Sequence, residues 1–103
     1  MKDETKQYNV VIHDDAAQML YSHVRFLTNV SVPAAQKLRS TLFDAFASLK
    51  KMPHRCPSFE TYRTQGTYRR LIVGQYQIIY SINENESIVN VCYILDSRRD
   101  NDI

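Results

Sequence analysis

Thr67-Tyr68-Arg69-Arg70-Leu71-Ile72-Val73-Gly74, then Gln75-Tyr76-Gln77-Ile78-Ile79-Tyr80-Ser81-Ile82, then Ile88 to Leu95 closing on Asp96-Ser97-Arg98-Arg99-Asp100, is the stretch that decides the fold. Three runs rich in Val, Ile and Tyr, separated by Gly74-Gln75 and by Asn83-Glu84-Asn85-Glu86, predict antiparallel strands joined by short turns. Side chains alternate along a strand, so Arg69 shares a face with Leu71 and Val73, while Arg70 shares the other with Tyr68 and Ile72. The paired arginines therefore point to opposite faces. On the next strand Tyr76, Ile78, Tyr80 and Ile82 form one face, and Gln75, Gln77, Ile79 and Ser81 the other, which reads as half-exposed.

Working outward, Tyr8 to His13 predicts a short first strand, apolar on both sides. Asp14-Asp15 can cap a helix, since carboxylates accept hydrogen bonds from free backbone N–H groups and complement the positive helix end. Ala17, Leu20, Tyr21, Val24 and Leu27 then fall at helical spacing, and Asn29-Val30-Ser31 ends the stripe. A second helix is predicted near Pro33, with Ser31 or its neighbour at the cap, and Ala35, Leu38, Leu42, Phe46 and Leu49 on one face. Lys50-Lys51 stand at its C-terminal end and Pro53 stops it. Residues 53–66 read as a long basic loop.

A chain of 103 residues with 44% hydrophobic content supports one modest core. The expected architecture is a single α+β domain over residues 1–103: an N-terminal strand, a helical hairpin, and a three-strand antiparallel meander covering the hairpin's apolar side. No apolar run approaches the roughly 20 residues that span a bilayer, and Met1 to Lys6 is not a secretory signal, which predicts a cytoplasmic domain without membrane contact.

Cys56 and Cys92 show no metal-ligand or CxxC spacing, and no metal or cofactor is expected. Cys92 reads as a small core residue in an apolar strand. Cys56 could be a thiol made more acidic by Arg55, but it lacks an evident partner base. His13, His23 and His54 read as surface or core-edge histidines, with His54 best placed for a basic surface. Seven tyrosines invite a base-stacking platform, although tyrosine is also a good strand residue that packs with its hydroxyl at the rim. The net charge is +2, with Lys50, Lys51, Arg55, Arg63, Arg69 and Arg70 in the middle and acidic residues toward the end. Such a stretch can attract an acidic protein segment or a phosphate backbone, or be a solvated loop.

The pattern Tyr-Arg, Val-Gly, one residue, Tyr, apolar pair, Tyr, followed by an apolar strand ending in Arg-Arg-Asp, resembles the RelE/ParE superfamily of toxins from bacterial type II toxin-antitoxin systems. The element order resembles that family's over nearly the whole chain. The resemblance implies a growth-inhibiting, plasmid-stabilising toxin with a cognate antitoxin as partner, and two activities. RelE-like members are metal-independent endoribonucleases that cut mRNA on the ribosome. That branch carries several basic residues along the strand corresponding to Tyr68–Val73, an arginine just after Tyr76, and a tyrosine or histidine near the C-terminus. Here Arg69 and Arg98 match basic positions and would be the catalytic pair, but Leu71 and Val73 are apolar, Gln77 replaces the arginine, and no tyrosine follows Arg99.

ParE-like members, which poison DNA gyrase by protein contact, resemble this chain better in the Val-Gly step, the Tyr-flanked strand and the arginine-rich ending with Asp. That resemblance assigns target or antitoxin contact to Arg69, Arg70, Tyr80, Arg98 and Arg99. A ribosome-dependent mRNA endoribonuclease and an inactive antitoxin-binding module are the alternatives.

Overall fold

The computed structural model describes residues 6–59 and 67–98. Its elements are β1 (Asn9–Ile12), α1 (Asp14–Thr28), α2 (Val32–Ser48), a 3-10 turn over Pro53–Arg55, β2 (Ser58–Phe59), β3 (Tyr68–Val73), β4 (Tyr76–Asn83) and β5 (Ile88–Asp96). The sheet order is β1-β5-β4-β3-β2. β3, β4 and β5 form the expected antiparallel meander. Two features add to it: a two-residue β2 just after the 3-10 turn, antiparallel to β3, in a stretch read as loop whose residues 60–66 lie outside the described ones, and a parallel pairing of β1 with β5 that sets Asn9 opposite Ile88. Parallel neighbours cannot be joined by a tight turn, and here the helical hairpin and the other strands intervene.

Local chemistry explains the second helix as read. Ser31 is extended at φ −161° and its Oγ accepts the Ala34 N–H at 3.3 Å, with Pro33 in the first turn. Ala35, Leu38, Leu42, Phe46 and Leu49 are all buried. The first helix is rotated relative to the expected stripe. Ala17 and Tyr21 face outward, Tyr21 being 64% exposed, while Ala16 and His23 are buried with Met19, Leu20, Val24 and Leu27 packed against the core. His23 takes a core place because its Nε2 lies 2.8 Å from the Ile94 carbonyl and its ring 5.3 Å from that of Tyr76. A polar side chain with a backbone partner tolerates burial. Asp14 and Asp15 sit in the first turn behind His13 at the cap position, which makes no side-chain cap bond, so they act as charges near the positive helix end.

The helices cover one sheet face. Leu71 and Val73 of β3, Tyr76, Ile78 and Tyr80 of β4, and Val89, Val91 and Ile94 of β5 meet Leu38, Leu42, Phe46 and Leu49 in one core. Between Ile79 and Tyr80 the pairing shifts, since Ile79 faces Tyr93 but Tyr80 faces Val91. Cys92 is the extra residue of this bulge, half-buried and outside the core that it was expected to join. The bulge lets Val91 and Ile94 both face the helices. On the other face Gln77 and Ser81 are half-exposed as expected, but Ile79 and Leu95 are buried. Gly74, at φ 61°, supplies the left-handed residue of the turn closed by the Val73–Tyr76 pair. Among the described residues, no helix is long and apolar enough to cross a membrane.

Candidate functional site

Arg69 and Tyr80 are cross-strand partners on the helix-facing side of the sheet. The Arg69 Nη1 donates to the His54 carbonyl at 3.3 Å and to that of Cys56, and the Tyr80 hydroxyl donates to the Pro53 carbonyl at 2.6 Å. Burial, with the Cys56 thiol beside it, pushes the Tyr80 phenol up, so it stays a donor. Two sheet side chains thus hold the loop after α2 by three backbone carbonyls, those of Pro53, His54 and Cys56. Tyr80 has no exposed area. This corrects its assignment to a contact surface: its body fills the core and its hydroxyl is used internally. Arg55 turns back onto α2, its Nη2 donating to Ser48 Oγ at 2.9 Å and its Nη1 to the Met52 carbonyl at 3.1 Å. Its guanidinium is therefore committed to this helix end, and Cys56 is buried.

At the far end of the meander, the Ser97 N–H donates to the Gln75 carbonyl at 2.7 Å and Gln77 Nε2 to Ser97 Oγ at 2.9 Å. These bonds tie the end of β5 to the β3–β4 turn. The Asp96 carboxylate is buried and accepts the Arg98 N–H at 2.9 Å and the Arg98 Nε and Nη2 at 3.4 Å each. Burial raises the carboxyl, but these bonds and the nearby His23 outweigh it and hold Asp96 below the usual carboxylate range. The Arg98 side chain remains 62% exposed.

A pH dependence follows, with its sign fixed by that direction. A depressed carboxyl contributes stability above its unfolded value, and the contribution disappears as pH falls through the lower folded value. Asp96→Asn should therefore lower Tm at neutral pH, and its gap to the parent chain should close as pH drops below about 4. A gap that stays constant into acid would show that Asp96 is not an ionised partner of Arg98.

Arg70 lies on the opposite face from Arg69, across from Ile79 and beside Ile72, which is 58% exposed. The same face carries a shallow hollow of about 470 Å³ bordered by Val11, His13, Tyr68, Cys92 and Tyr93. Burial and the adjoining Cys92 and Tyr93 push the Tyr68 phenol up, and burial does the same to the Cys92 thiol against a hydrogen bond with Ser81. The sequence-predicted site residues are therefore dispersed. Arg69 sits in the row of Tyr80, whereas Arg98 follows Asp96 in the row of Tyr76, four residues along β4 or roughly 13 Å away. Arg70 faces the other side, and Arg99 lies outside the described residues.

Sequence reading missed a different cluster. Glu84, in the β4–β5 turn, accepts from the Tyr8 hydroxyl at 3.0 Å, from His54 Nε2, and from Lys6 Nζ at 3.5 Å. His54 had suggested a basic surface, and its ring instead meets a carboxylate. Four residues drawn from three distant segments leave no local spacing to read.

A family model described as the ParE toxin of the type II toxin-antitoxin system parDE matches residues 10–101. The chain belongs to the ParE toxin family. No curated protein matches this ParE-family chain. Among solved structures it is similar to one in the RelBE2 toxin-antitoxin complex of Mycobacterium tuberculosis, at 19% identity and a TM-score of 0.64, covering 92% of this chain and 97% of that one. It is also similar to one in the archaeal RelE-RelB complex of Pyrococcus horikoshii, at 21% identity and a TM-score of 0.56, covering 90% and 98%. At these identities the likeness shows a shared fold, and the RelE/ParE superfamily resemblance of the sequence is upheld.

Proposed function

We propose that this ParE-family chain is a growth-inhibiting toxin that acts on DNA gyrase by protein contact and is neutralised by a cognate antitoxin. The observation that carries the reading is the dispersal of its cations. Metal-free cleavage of RNA needs cationic donors converging on one developing phosphorane and a group to activate the 2′-OH. Here Arg69 holds loop carbonyls on the helix side, Arg98 is hooked to Asp96 about four residues further along, and Gln77 is bonded to Ser97. A toxin that works by binding needs no such convergence, only an exposed patch with a few anchors. Arg70, Ile72 and Arg98 are the exposed or half-exposed residues that suit it.

The family context supports the antitoxin, and so does the helical hairpin, which exposes Tyr21, Phe26, Val30 and Val32. Apolar side chains of that kind suit an amphipathic partner segment. Purified protein should block gyrase supercoiling and leave mRNA intact on translating ribosomes, and co-expression of the neighbouring gene should restore growth. Cleavage of ribosome-bound mRNA with untouched supercoiling would replace this reading by the endoribonuclease one. The absence of both gyrase inhibition and mRNA cleavage, with antitoxin binding retained, would make the chain an inactive binding module.

A further inference from the structure

The end of the sheet opposite the Arg98 turn carries a second constellation of polar side chains, gathered around Glu84. The β4–β5 turn is built to place Glu84. Ser87 is held at φ 56°, its N–H donates to the Glu84 carbonyl at 3.3 Å, and Asn83 Oδ1 accepts the Glu86 N–H at 3.1 Å. A left-handed residue other than glycine or asparagine is uncommon, and here two local hydrogen bonds and the pairing of the Asn9 N–H with the Ser87 carbonyl at 2.9 Å fix it.

Facing Glu84 are three donors from two segments, Lys6 and Tyr8 before β1 and His54 after α2. Tyr8 is anchored by its N–H to the Lys50 carbonyl at 2.8 Å, and its ring meets that of His54 edge-on at 5.9 Å. His54 rides on the loop clamped by Arg69 and Tyr80. The Lys6 ammonium lies 5.0 Å from the Tyr8 ring centroid and 3.5 Å from the carboxylate. Lys51 completes the rim of a hollow of about 300 Å³. Burial would raise the Glu84 carboxyl, but the Tyr8 and His54 hydrogen bonds prevail and keep it ionised below the usual range.

The hollow thus mixes signs: two ammonium groups at its rim, and one carboxylate whose roughly four lone-pair sites are taken by three donors, a second site coming free when Lys6 turns to a bound phosphate. A bare phosphate would be drawn by the lysines and repelled by Glu84. A ligand with hydroxyl donors beside its phosphate satisfies both, because carboxylates accept from vicinal hydroxyls while ammonium groups hold phosphate oxygens. The volume lies at the small end for ligand sites, about 300–1,000 Å³, which suits a single sugar phosphate unit.

We propose that the hollow between Lys6, Tyr8, Lys51, His54 and Glu84 binds a ribose phosphate, with the lysines on the phosphate, Glu84 on the ribose hydroxyls, and His54 and Tyr8 holding the carboxylate in place. This site is separate from the half-exposed Arg70 and the exposed Arg98, and the proposal does not depend on gyrase being the target. The chemistry is shared by a free nucleotide and by the end of an RNA strand.

The test follows ligand titrations of the full chain in ¹H–¹⁵N spectra, reading the His54 side chain and the amides of Lys51 and Glu84. Ribose 5-phosphate at millimolar concentration should shift these signals and bind roughly tenfold tighter than inorganic phosphate, the worth of one charge-assisted hydrogen bond. Lys51→Ala, an exposed substitution that spares the fold, should weaken ribose 5-phosphate by about tenfold. Glu84→Gln should remove the preference over inorganic phosphate while leaving phosphate affinity the same or higher. A mononucleotide that binds as well as a short RNA oligonucleotide points to a free nucleotide, and a tighter oligonucleotide points to an RNA end. Absence of shifts with ribose 5-phosphate, or equal affinity for inorganic phosphate in the unmodified chain, overturns the proposal. Because neither readout involves supercoiling, its failure leaves the gyrase reading untouched.

Discussion

Tyr80→Ala should remove about 3–5 kcal/mol of folding stability, the range for truncating a buried aromatic side chain. Tyr80 has no exposed area and is among the largest fully buried side chains of the core. Against the ~5–15 kcal/mol that holds a typical domain together, that loss is severe, and it corresponds to a fall in Tm of roughly 12–40 °C. Tyr80→Phe separates the two contributions. It keeps the ring and deletes the donor to the Pro53 carbonyl at 2.6 Å, leaving that acceptor without its donor. The expected loss is about 1–3 kcal/mol. Chemical denaturation of both variants gives the comparison directly. A Tyr80→Ala loss within about 1 kcal/mol, typical of surface substitutions or mild ones, would mean that Tyr80 is accessible and return it to the contact surface.

The difference between Tyr80 as a surface anchor and Tyr80 as a core residue shows where the sequence is legible. Alternation groups Tyr76, Ile78 and Tyr80 on one face correctly, and that face turns out to be the helix side. Nothing in the local pattern says that the Tyr80 hydroxyl has an acceptor 27 residues away, in the loop at Pro53. α2 was readable throughout because an apolar stripe at helical spacing, a serine cap and a first-turn proline all point to one register. In α1 the cues conflict. Tyr21 looks like a core residue and His23 does not, and the carbonyl of Ile94 reverses the order by giving the imidazole a partner.

The same reason hides the parallel β1–β5 pair, the bulge at Cys92 and the Glu84 cluster. Each depends on residues far apart in the chain, and β2, at two residues, is too short to carry a period. Turn chemistry also leaves its residue-level trace unevenly. Gly74 marks its turn by type, whereas Ser87 adopts a left-handed backbone that its identity does not announce.

Arg69 is where function and architecture compete for one side chain, and its replacement distinguishes them. As a transition-state cation, Arg69 would be expendable for folding, and alanine there would slow RNA cleavage by orders of magnitude. As the structure has it, the guanidinium is half-buried and donates to the carbonyls of His54 and Cys56. Arg69→Ala should then cost about 2 kcal/mol, since charge-assisted bonds contribute ~1.5–3 kcal/mol and partial exposure lets water replace some of that. Tm should fall by roughly 8–16 °C.

Lysine should not restore the loss, because a single ammonium cannot reproduce a planar fork reaching two acceptors. Arg69 and Tyr80 grip the same loop, so their double-mutant cycle should show a coupling of about 0.5–3 kcal/mol. Growth inhibition by Arg69→Ala should weaken at high temperature and recover when cells are grown cool, tracking the folded fraction. A variant that keeps the parental Tm and loses toxicity at every temperature would instead place Arg69 in direct contact with the target, and the loop would need another explanation for its position.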